Sequence, residues 1–118
     1  MLHITGIKNC DTVRKTLKWL DACGQAYTFR DVKNDPLSAE ELSGIISRAG
    51  LYTLVNKRGR VWRELGLSKK ELSDQEMAET LLEHQTMIKR PVIEVEGSQA
   101  LLVGFDEDAL AGFIEEYA

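Results

Sequence analysis

The sequence predicts one α/β domain with the element order β-α-β, helices, β-β-α. Three observations lead to this prediction. Two alternating apolar-polar runs flank a capped helix, the middle of the chain has helical spacing, and a strand that begins at a proline precedes a second strand and a final helix. A chain of 118 residues buries a core of its own and is too short for two ordinary domains. We therefore expect a single domain over residues 1–118.

The first part of the chain predicts a parallel β-α-β unit. Residues 2–6 alternate apolar and polar side chains and end at a glycine, which is typical of a short strand. Asp11 is expected to cap a helix whose apolar residues recur at helical spacing over residues 13–20, until Gly24 ends it. Residues 27–32 alternate again. The connection to them is so short that the second strand is expected to run parallel to the first.

The middle of the chain predicts a helical insertion at about residues 37–87. Three Ser-x-x-Glu patterns of the capping-box type start at Ser38, Ser68 and Ser73. Those at Ser38 and Ser73 precede apolar residues at helical spacing, and the one at Ser68 is expected to mark a shorter turn. The insertion therefore separates the β-α-β half from the rest of the domain.

The last part of the chain predicts a β-β-α unit. Pro91 precedes an apolar run at residues 92–95, residues 96–98 can form a turn, and residues 101–103 supply the returning strand. Asp106 is expected to cap the final helix. Together with the parallel pair at the beginning, this hairpin predicts a mixed sheet.

Charge and composition exclude several functional classes. Nineteen acidic and fifteen basic residues give a net charge of -4, which argues against general binding to nucleic acid or to an anionic membrane. No apolar stretch has the length of a membrane span. The two Cys and two His include no pair at metal-ligand spacing, so we expect no metal site. We interpret the chain as a cytoplasmic protein.

Cys10 is the candidate nucleophile because it lies where a predicted strand gives way to a helix. Free backbone N-H groups and the helix dipole stabilise an anion at such a position, and they can lower a thiol pKa from about 8.5 to about 3.5–7.5. Lys8, Arg14 and Lys15 add positive charge nearby, and Asp11 opposes it. The alternative is a buried, inert cysteine, which the polar residues on both sides of Cys10 disfavour.

Cys23 is expected to pack against the apolar stripe of the same helix. Thirteen residues of helix at ~1.5 Å rise separate the two sulfurs by roughly 20 Å, whereas a disulfide needs Cα atoms within about 7 Å. The chain also has no Cys-x-x-Cys. If Cys10 carries out redox chemistry, the resolving thiol must therefore come from outside, and glutathione is the abundant cytoplasmic choice.

Cationic residues near Cys10 in sequence or in the predicted fold are candidates for binding an anion. Cys10-x-x-x-Arg14 places a guanidinium one helical turn from the sulfur; the alternative is a solvated arginine. Residues 56–63 hold four of the fifteen basic residues, including Arg58, and either bind the carboxylates of glutathione or are simply solvated. Arg90 precedes Pro91 at the start of the third strand and is either directed to the site or exposed.

Three segments in this order resemble one known family. They are Gly6-Ile7-Lys8-Asn9-Cys10-Asp11-Thr12, Leu54-Val55-Asn56-Lys57-Arg58-Gly59 and Ile88-Lys89-Arg90-Pro91-Val92. The chain resembles the ArsC/Spx family over essentially its whole length, and most closely the YffB-like branch. The resemblance implies a thioredoxin-like fold, with a four-stranded mixed sheet and a helical insertion between its two halves.

The resemblance also implies roles for individual residues. The family's reactive cysteine corresponds to Cys10, its Cys-x-x-x-Arg arginine to Arg14 and its Arg-Pro arginine to Arg90, with Pro91 as the candidate cis-proline. Lys8, Asn56 and Arg58 complete the expected anion-binding or substrate-binding set. Two further arginines that hold the oxyanion in arsenate reductases correspond to Asn56 and to a position near Gly104, and a histidine thought to help activate the cysteine corresponds to Gly6.

These residues predict a glutathione-dependent monothiol oxidoreductase of the arsenate-reductase type. Cys10 would form a covalent adduct with arsenate or with an oxidised thiol, and glutathione or glutaredoxin would resolve it. The protein is expected to be a monomer with no bound cofactor. The alternative is a non-catalytic, Spx-like regulator that binds RNA polymerase or another protein. Spx regulators typically carry Cys-x-x-Cys where this chain has Val13 as the fourth residue.

Overall fold

A four-stranded mixed sheet in the order β2-β1-β3-β4 forms the centre of the structure, a computed structural model that describes all residues 1–118. Two short 3₁₀ turns, Leu67–Lys69 and Gln85–Met87, accompany the regular elements. The strands are β1 (Leu2–Gly6), β2 (Tyr27–Asp31), β3 (Val92–Val95) and β4 (Leu101–Val103). The helices are α1 (Asp11–Ala22), α2 (Ala39–Ala49), α3 (Arg60–Glu64), α4 (Asp74–Glu83) and α5 (Glu107–Tyr117).

Strand pairing confirms the predicted α/β class and the mixed sheet. Strands β1 and β2 are parallel, with Leu2 opposite Tyr27 and Gly6 opposite Asp31. Strand β3 runs antiparallel to both β1 and β4. The parallel pair ends its two strands at the same edge of the sheet, and the chain that follows each of them begins at that edge.

Helices α1 and α5 cover one face of the sheet. Alternation along β1 directs Leu2 and Ile4 to this face, where they join Ile93 of β3 in a buried cluster. Leu20 of α1 and Leu110 of α5 are fully buried in the same cluster. The packing of this cluster holds α1 against β1 and so fixes the position of the helix N-terminus.

The helical insertion covers the opposite face. Val92 of β3 belongs to a second buried cluster that also contains Leu54, Leu81 and Met87. Glu94 points to the same side, and its carboxylate accepts from Arg48 of α2 at 2.7 Å. The insertion is therefore attached to the sheet by apolar packing and by an ion pair. No helix of the protein combines the length and apolarity needed to cross a bilayer.

Two expectations for α1 were wrong. The residue that caps the helix is Cys10, in extended conformation, and Asp11 is the first helical residue, with its carboxylate bonded to Arg14 at 2.7 Å. Cys23 does not pack in the core; it is exposed at the C-cap, where its N-H bonds to the carbonyl of Trp19. The helix ends there because Gly24 adopts a φ of 68°. The apolar stripe ends at Leu20, one turn before Cys23.

Two of the three predicted capping boxes form, and so does the predicted cap of α5. Full capping boxes at Ser38 and Ser73 are confirmed, as is the cap of α5, where Asp106 accepts from the N-H of Ala109. The pattern at Ser68 forms no box, because Ser68 lies inside the turn Leu67–Lys69, which has no side-chain cap. Within the basic segment at residues 56–63, helix α3 begins at Arg60.

Gly6 allows the end of β1 to approach α1 closely. A Cβ atom at this position would lie 2.8 Å from Cγ2 of Val13, a fully buried residue in the first turn of the helix. A side chain of any size would therefore push the helix away from the strand. Gly6 sets the spacing between the strand end and Cys10.

Candidate functional site

Cys10 lies at the N-terminus of α1, after the short loop that leaves β1. As the N-cap it has extended backbone angles, φ -135° and ψ 124°, and its carbonyl accepts from the N-H of Arg14 at 2.9 Å. The N-H groups of the first turn have no partner within the helix. Two of them, from Thr12 and Val13, lower the pKa of its thiol. The side chain is half-buried against the core cluster of the insertion side.

The surroundings lower the pKa of the Cys10 thiol. Partial burial works in the opposite direction, because it disfavours the charged form and raises the pKa. Hydrogen bonds from the N-H of Val13 and from the Arg90 guanidinium, the charge of Arg90 and the N-H of Thr12 together outweigh it. The net shift is downward, so the thiolate forms at lower pH than in an unperturbed cysteine.

Arg90 reaches Cys10 from the other half of the domain. It precedes β3, which pairs with β1, and the Arg90-Pro91 peptide bond is cis. One guanidinium nitrogen, Nη1, donates to the carbonyl of Thr86, and the N-H of Gly104 donates to the carbonyl of Pro91 at 2.8 Å. These bonds hold the Arg90 side chain and the backbone that follows it, and the guanidinium lowers the pKa of the Cys10 thiol by hydrogen bonding and by charge.

Arg14 is occupied by other partners. Its Nη1 donates to Asp11 Oδ1 at 2.7 Å and its Nη2 donates to Asn9 Oδ1, and its side chain is 56% exposed. It is not among the groups that shift the pKa of Cys10. Arg14 is therefore close to Cys10 in sequence, but Asp11 balances its charge at the surface.

Lys8, Asn56 and Arg58 take three different positions. Lys8 is exposed in the loop before Cys10, with its N-H donating to Asp31 at 3.3 Å. Asn56 lines a cavity of about 280 Å³ together with Arg90. Arg58 is exposed and lines a neighbouring open cavity of about 480 Å³ to which Asn56 also contributes.

Two lysines that each share a cavity with Arg90 were not among the candidate residues predicted from the sequence. Lys33 lines the same cavity as Asn56 and Arg90, and Lys89 lines a different cavity, on which Arg90 also borders. A usable signal existed for Lys33, because it follows β2 as Cys10 follows β1, and parallel strands end at one edge of the sheet. For Lys89 the only signal was its place next to Arg90.

The site contains one cysteine and no metal cluster. Both cysteines are free, and Cys23 lies at the opposite end of α1 from Cys10. No group of three or more His, Cys, Asp or Glu side chains is arranged to hold a metal ion. What the arrangement offers chemically is a half-buried thiol whose pKa is lowered by an arginine, and two cavities that share this arginine.

Comparisons with known proteins agree with this description. A model of the ArsC family matches residues 5–113. An uncharacterized protein of Haemophilus influenzae is 40% identical over 108 residues, which are 91% of this chain and 93% of that protein. The global transcriptional regulator Spx 2 of Oceanobacillus iheyensis is 30% identical over 108 residues, which are 90% of this chain and 78% of the regulator.

Solved structures share the fold. A YffB protein, 37% identical, superposes with a TM-score of 0.85 over 95% of this chain and 97% of its own. A protein from Brucella melitensis described as related to arsenate reductase (ArsC) is 33% identical, with a TM-score of 0.77 over 97% of this chain and 94% of its own. The thioredoxin-like, arsenate-reductase-like fold expected from the resemblance is thus confirmed.

Proposed function

Because the chain belongs to the ArsC family, we propose that it is a monothiol oxidoreductase in which Cys10 is the nucleophile and glutathione the co-substrate. The observation that carries the proposal is the position of Cys10 at the N-cap of α1, where N-H groups of the first turn and the Arg90 guanidinium lower the pKa of its thiol. A thiolate is the nucleophilic form of cysteine, so groups that stabilise it raise the reactive fraction at neutral pH.

The reaction needs no second cysteine from the protein. The Cys10 thiolate attacks one sulfur of a disulfide, forms a new S-S bond and releases the other sulfur as a thiolate. Glutathione thiolate then attacks the mixed disulfide on the substrate sulfur and restores Cys10, and a second glutathione completes the reduction to give oxidised glutathione. Glutathione or glutaredoxin is the partner we propose, with no bound cofactor and a monomer in the cytoplasm.

An oxidised thiol fits the site better than arsenate does. A doubly charged oxyanion in contact with a thiolate needs several cationic donors, and Arg90 is the one cation that lowers the pKa of the Cys10 thiol. Arg14 is balanced by Asp11, and Arg60 in the neighbouring cavity is balanced by Glu64 at 2.8 Å. A disulfide brings no charge of its own to the sulfur that is attacked. Cys10 and Arg90 therefore support thiol-disulfide exchange.

The direct test measures turnover of bis(2-hydroxyethyl) disulfide with glutathione, coupled to glutathione reductase and followed by NADPH oxidation. The wild type and Cys23→Ser are expected to turn over, and Cys10→Ser is expected to be inactive. Arsenate in place of the disulfide is expected to give no turnover. Activity retained in Cys10→Ser, or lost in Cys23→Ser, would overturn the assignment of the nucleophile.

A second candidate is a non-catalytic regulator that binds a protein such as RNA polymerase. The observation that favours it is the 30% identity to the regulator Spx 2 of Oceanobacillus iheyensis over 90% of this chain. The test is a pull-down with the purified protein under reducing conditions. Stoichiometric recovery of RNA polymerase together with absent turnover would favour the regulator, and turnover without a stoichiometric partner would exclude it.

A further inference from the structure

Two cavities of different chemistry meet at Arg90. On one side lies the cavity of about 280 Å³ that Lys33, Asn56 and Arg60 help to line. On the other lies a cavity of about 310 Å³ between β4, the start of α5 and the segment before β3. Arg90 lines both cavities. Val92, two residues after Arg90, lies opposite Thr5 near the end of β1, and Gly104 in the wall of the second cavity donates its N-H to the carbonyl of Pro91 at 2.8 Å. Both cavities therefore border the segment that the sheet places beside the end of the strand leading to Cys10.

The cavity beside β4, which we call the β4 cavity, has apolar walls and a cationic end. Leu102, Val103 and Phe105 form its apolar part, and each is partly exposed. Lys89 and Arg90 provide two positive charges next to them, and neither takes part in a salt bridge. This combination suits a group with an apolar body and a carboxylate.

Two features keep the β4 cavity open. Gly104 lies in its wall with a φ of 87°, and a Cβ there would meet nothing within 4 Å. The residue of α5 that faces the cavity is Ala109, whose side chain is only a methyl group. The single acidic residue of the wall, Asp106, uses its carboxylate to cap α5 by accepting from the N-H of Ala109 at 2.9 Å. Its charge is therefore directed to the helix N-terminus.

Thiol-disulfide exchange requires space on both sides of the attacked bond, because the attacking, central and leaving sulfurs lie close to one line. A tetrahedral oxyanion has no organic group and would leave the β4 cavity empty. A disulfide has an organic group on each sulfur, and the site must accommodate both groups during the exchange. Two cavities that share Arg90 as a lining residue provide this room.

We propose that the β4 cavity is a substrate subsite that binds the organic group of an acidic aromatic or aliphatic disulfide, and so selects such disulfides over small polar ones. The proposal rests on the function proposed above. In the step concerned, Cys10 thiolate forms an S-S bond with the sulfur of the group held in the cavity, and the second half of the disulfide leaves as a thiolate. Glutathione then reduces the mixed disulfide.

The test compares two disulfides with the Cys10 thiol in a Cys23→Ser background. One probe is 5,5'-dithiobis(2-nitrobenzoic acid), whose halves have an aromatic body and a carboxylate. The other is bis(2-hydroxyethyl) disulfide, which is small and uncharged. Ala109→Leu fills the cavity from an exposed helix position. Ala111→Leu is the matched control, because Ala111 is exposed on the same helix and does not line the cavity.

Ala109→Leu is expected to lower the second-order rate constant for the aromatic probe about tenfold and to change that for the small probe less than about twofold. Ala111→Leu is expected to change neither. Equal effects of Ala109→Leu on both probes, or no effect on the aromatic one, would overturn the subsite. Absent glutathione-dependent turnover of the small disulfide by the Cys23→Ser protein would instead overturn the proposed function, so the two failures are distinguishable.

The contribution of charge is tested by Lys89→Met. This variant keeps most of the apolar length of the side chain and removes its charge. It is expected to slow the acidic aromatic probe several-fold and to leave an uncharged aromatic disulfide, diphenyl disulfide, unaffected. Equal slowing of both aromatic probes would contradict a carboxylate contact at Lys89.

Discussion

The Arg90 guanidinium lowers the pKa of the Cys10 thiol, although most of the chain separates the two residues. The pairing of β3 with β1 brings them together, since Arg90 precedes one strand and Cys10 follows the other. Arg14, one turn from Cys10 on the same helix, bonds instead to Asp11 and Asn9. The residue that acts on the thiolate is therefore the one distant in sequence.

This relationship predicts opposite results for the two arginines. Arg90→Met removes a hydrogen bond and a positive charge from the thiolate, so the pKa of Cys10 is expected to rise and alkylation at neutral pH to slow several-fold. Arg14→Met is expected to leave the pH profile unchanged. The measurement is the pH dependence of iodoacetamide alkylation in a Cys23→Ala background, with circular dichroism to verify folding. A shift in the Arg14 variant equal to that in the Arg90 variant would refute the assignment.

Gly6 is predicted to tolerate no larger side chain. In Gly6→Ala the new methyl group would lie 2.8 Å from Cγ2 of Val13, so the free energy of unfolding is expected to fall by about 1–3 kcal/mol. Gly44→Ala in α2 is the control, because a Cβ there meets nothing within 4 Å and alanine favours the helix by about 0.5–1 kcal/mol. Urea denaturation measures both. A Gly6→Ala protein as stable as the wild type would show that α1 is not held so close to β1.

The ion pair between Arg30 and Glu41 predicts a loss of stability in acid. Arg30 contacts both oxygens of Glu41, at 2.5 and 3.1 Å, and this contact, followed by the N-H of Ser38, lowers the pKa of Glu41 from 4.5 to about 2. A carboxylate with a lowered pKa stabilises the folded state above the unfolded pKa of 4.5, and this contribution is lost as the pH falls toward about 2.

Glu41→Gln is therefore expected to cost up to about 1 kcal/mol at pH 7, a value limited by solvent because the Glu41 side chain is 46% exposed. The difference from the wild type should shrink between pH 4.5 and about 2. Glu76→Gln is the control, since Glu76 forms the same kind of capping box at Ser73 without an arginine partner. Urea denaturation over this pH range gives the answer. An equal pH dependence of the two variants would mean that Arg30 contributes nothing.

Gln85 is predicted to hold the start of the insertion. It is buried, its side-chain oxygen accepts from the N-H of Leu37 at 2.8 Å, and its Nε2 donates to the carbonyl of Leu37 at 2.9 Å. Gln85→Ala leaves both backbone groups without a partner, at a cost of about 2–4 kcal/mol. The exposed Gln75→Ala is expected to cost under about 0.5 kcal/mol. Guanidinium denaturation of both variants measures this, and similar midpoints would contradict the role of Gln85.

The sequence by itself determined the local elements. Alternation predicted β1 and β2, and the apolar run after Pro91 predicted β3. Side-chain caps at Ser38, Ser73 and Asp106 predicted three helix starts, because such signals act within a few residues. The position of Cys10 at a strand-helix junction was also readable, since both elements adjoin it in the chain. The capping prediction was wrong at Asp11: its carboxylate accepts from Arg14, and the N-cap residue of α1 is Cys10.

The tertiary structure decided which residues meet. Periodicity placed Cys23 in phase with the stripe of α1, but only the packing of neighbouring elements shows that the core ends before it. Spacing could not choose between Arg14 and Arg90, because that choice depends on where β3 pairs and on which carboxylate each arginine finds. The β4 cavity likewise combines Thr53 of the insertion with residues that precede β3 and residues that lead from β4 into α5. Local energies fix helices and strands, whereas the site depends on contacts that exist only once the sheet has formed.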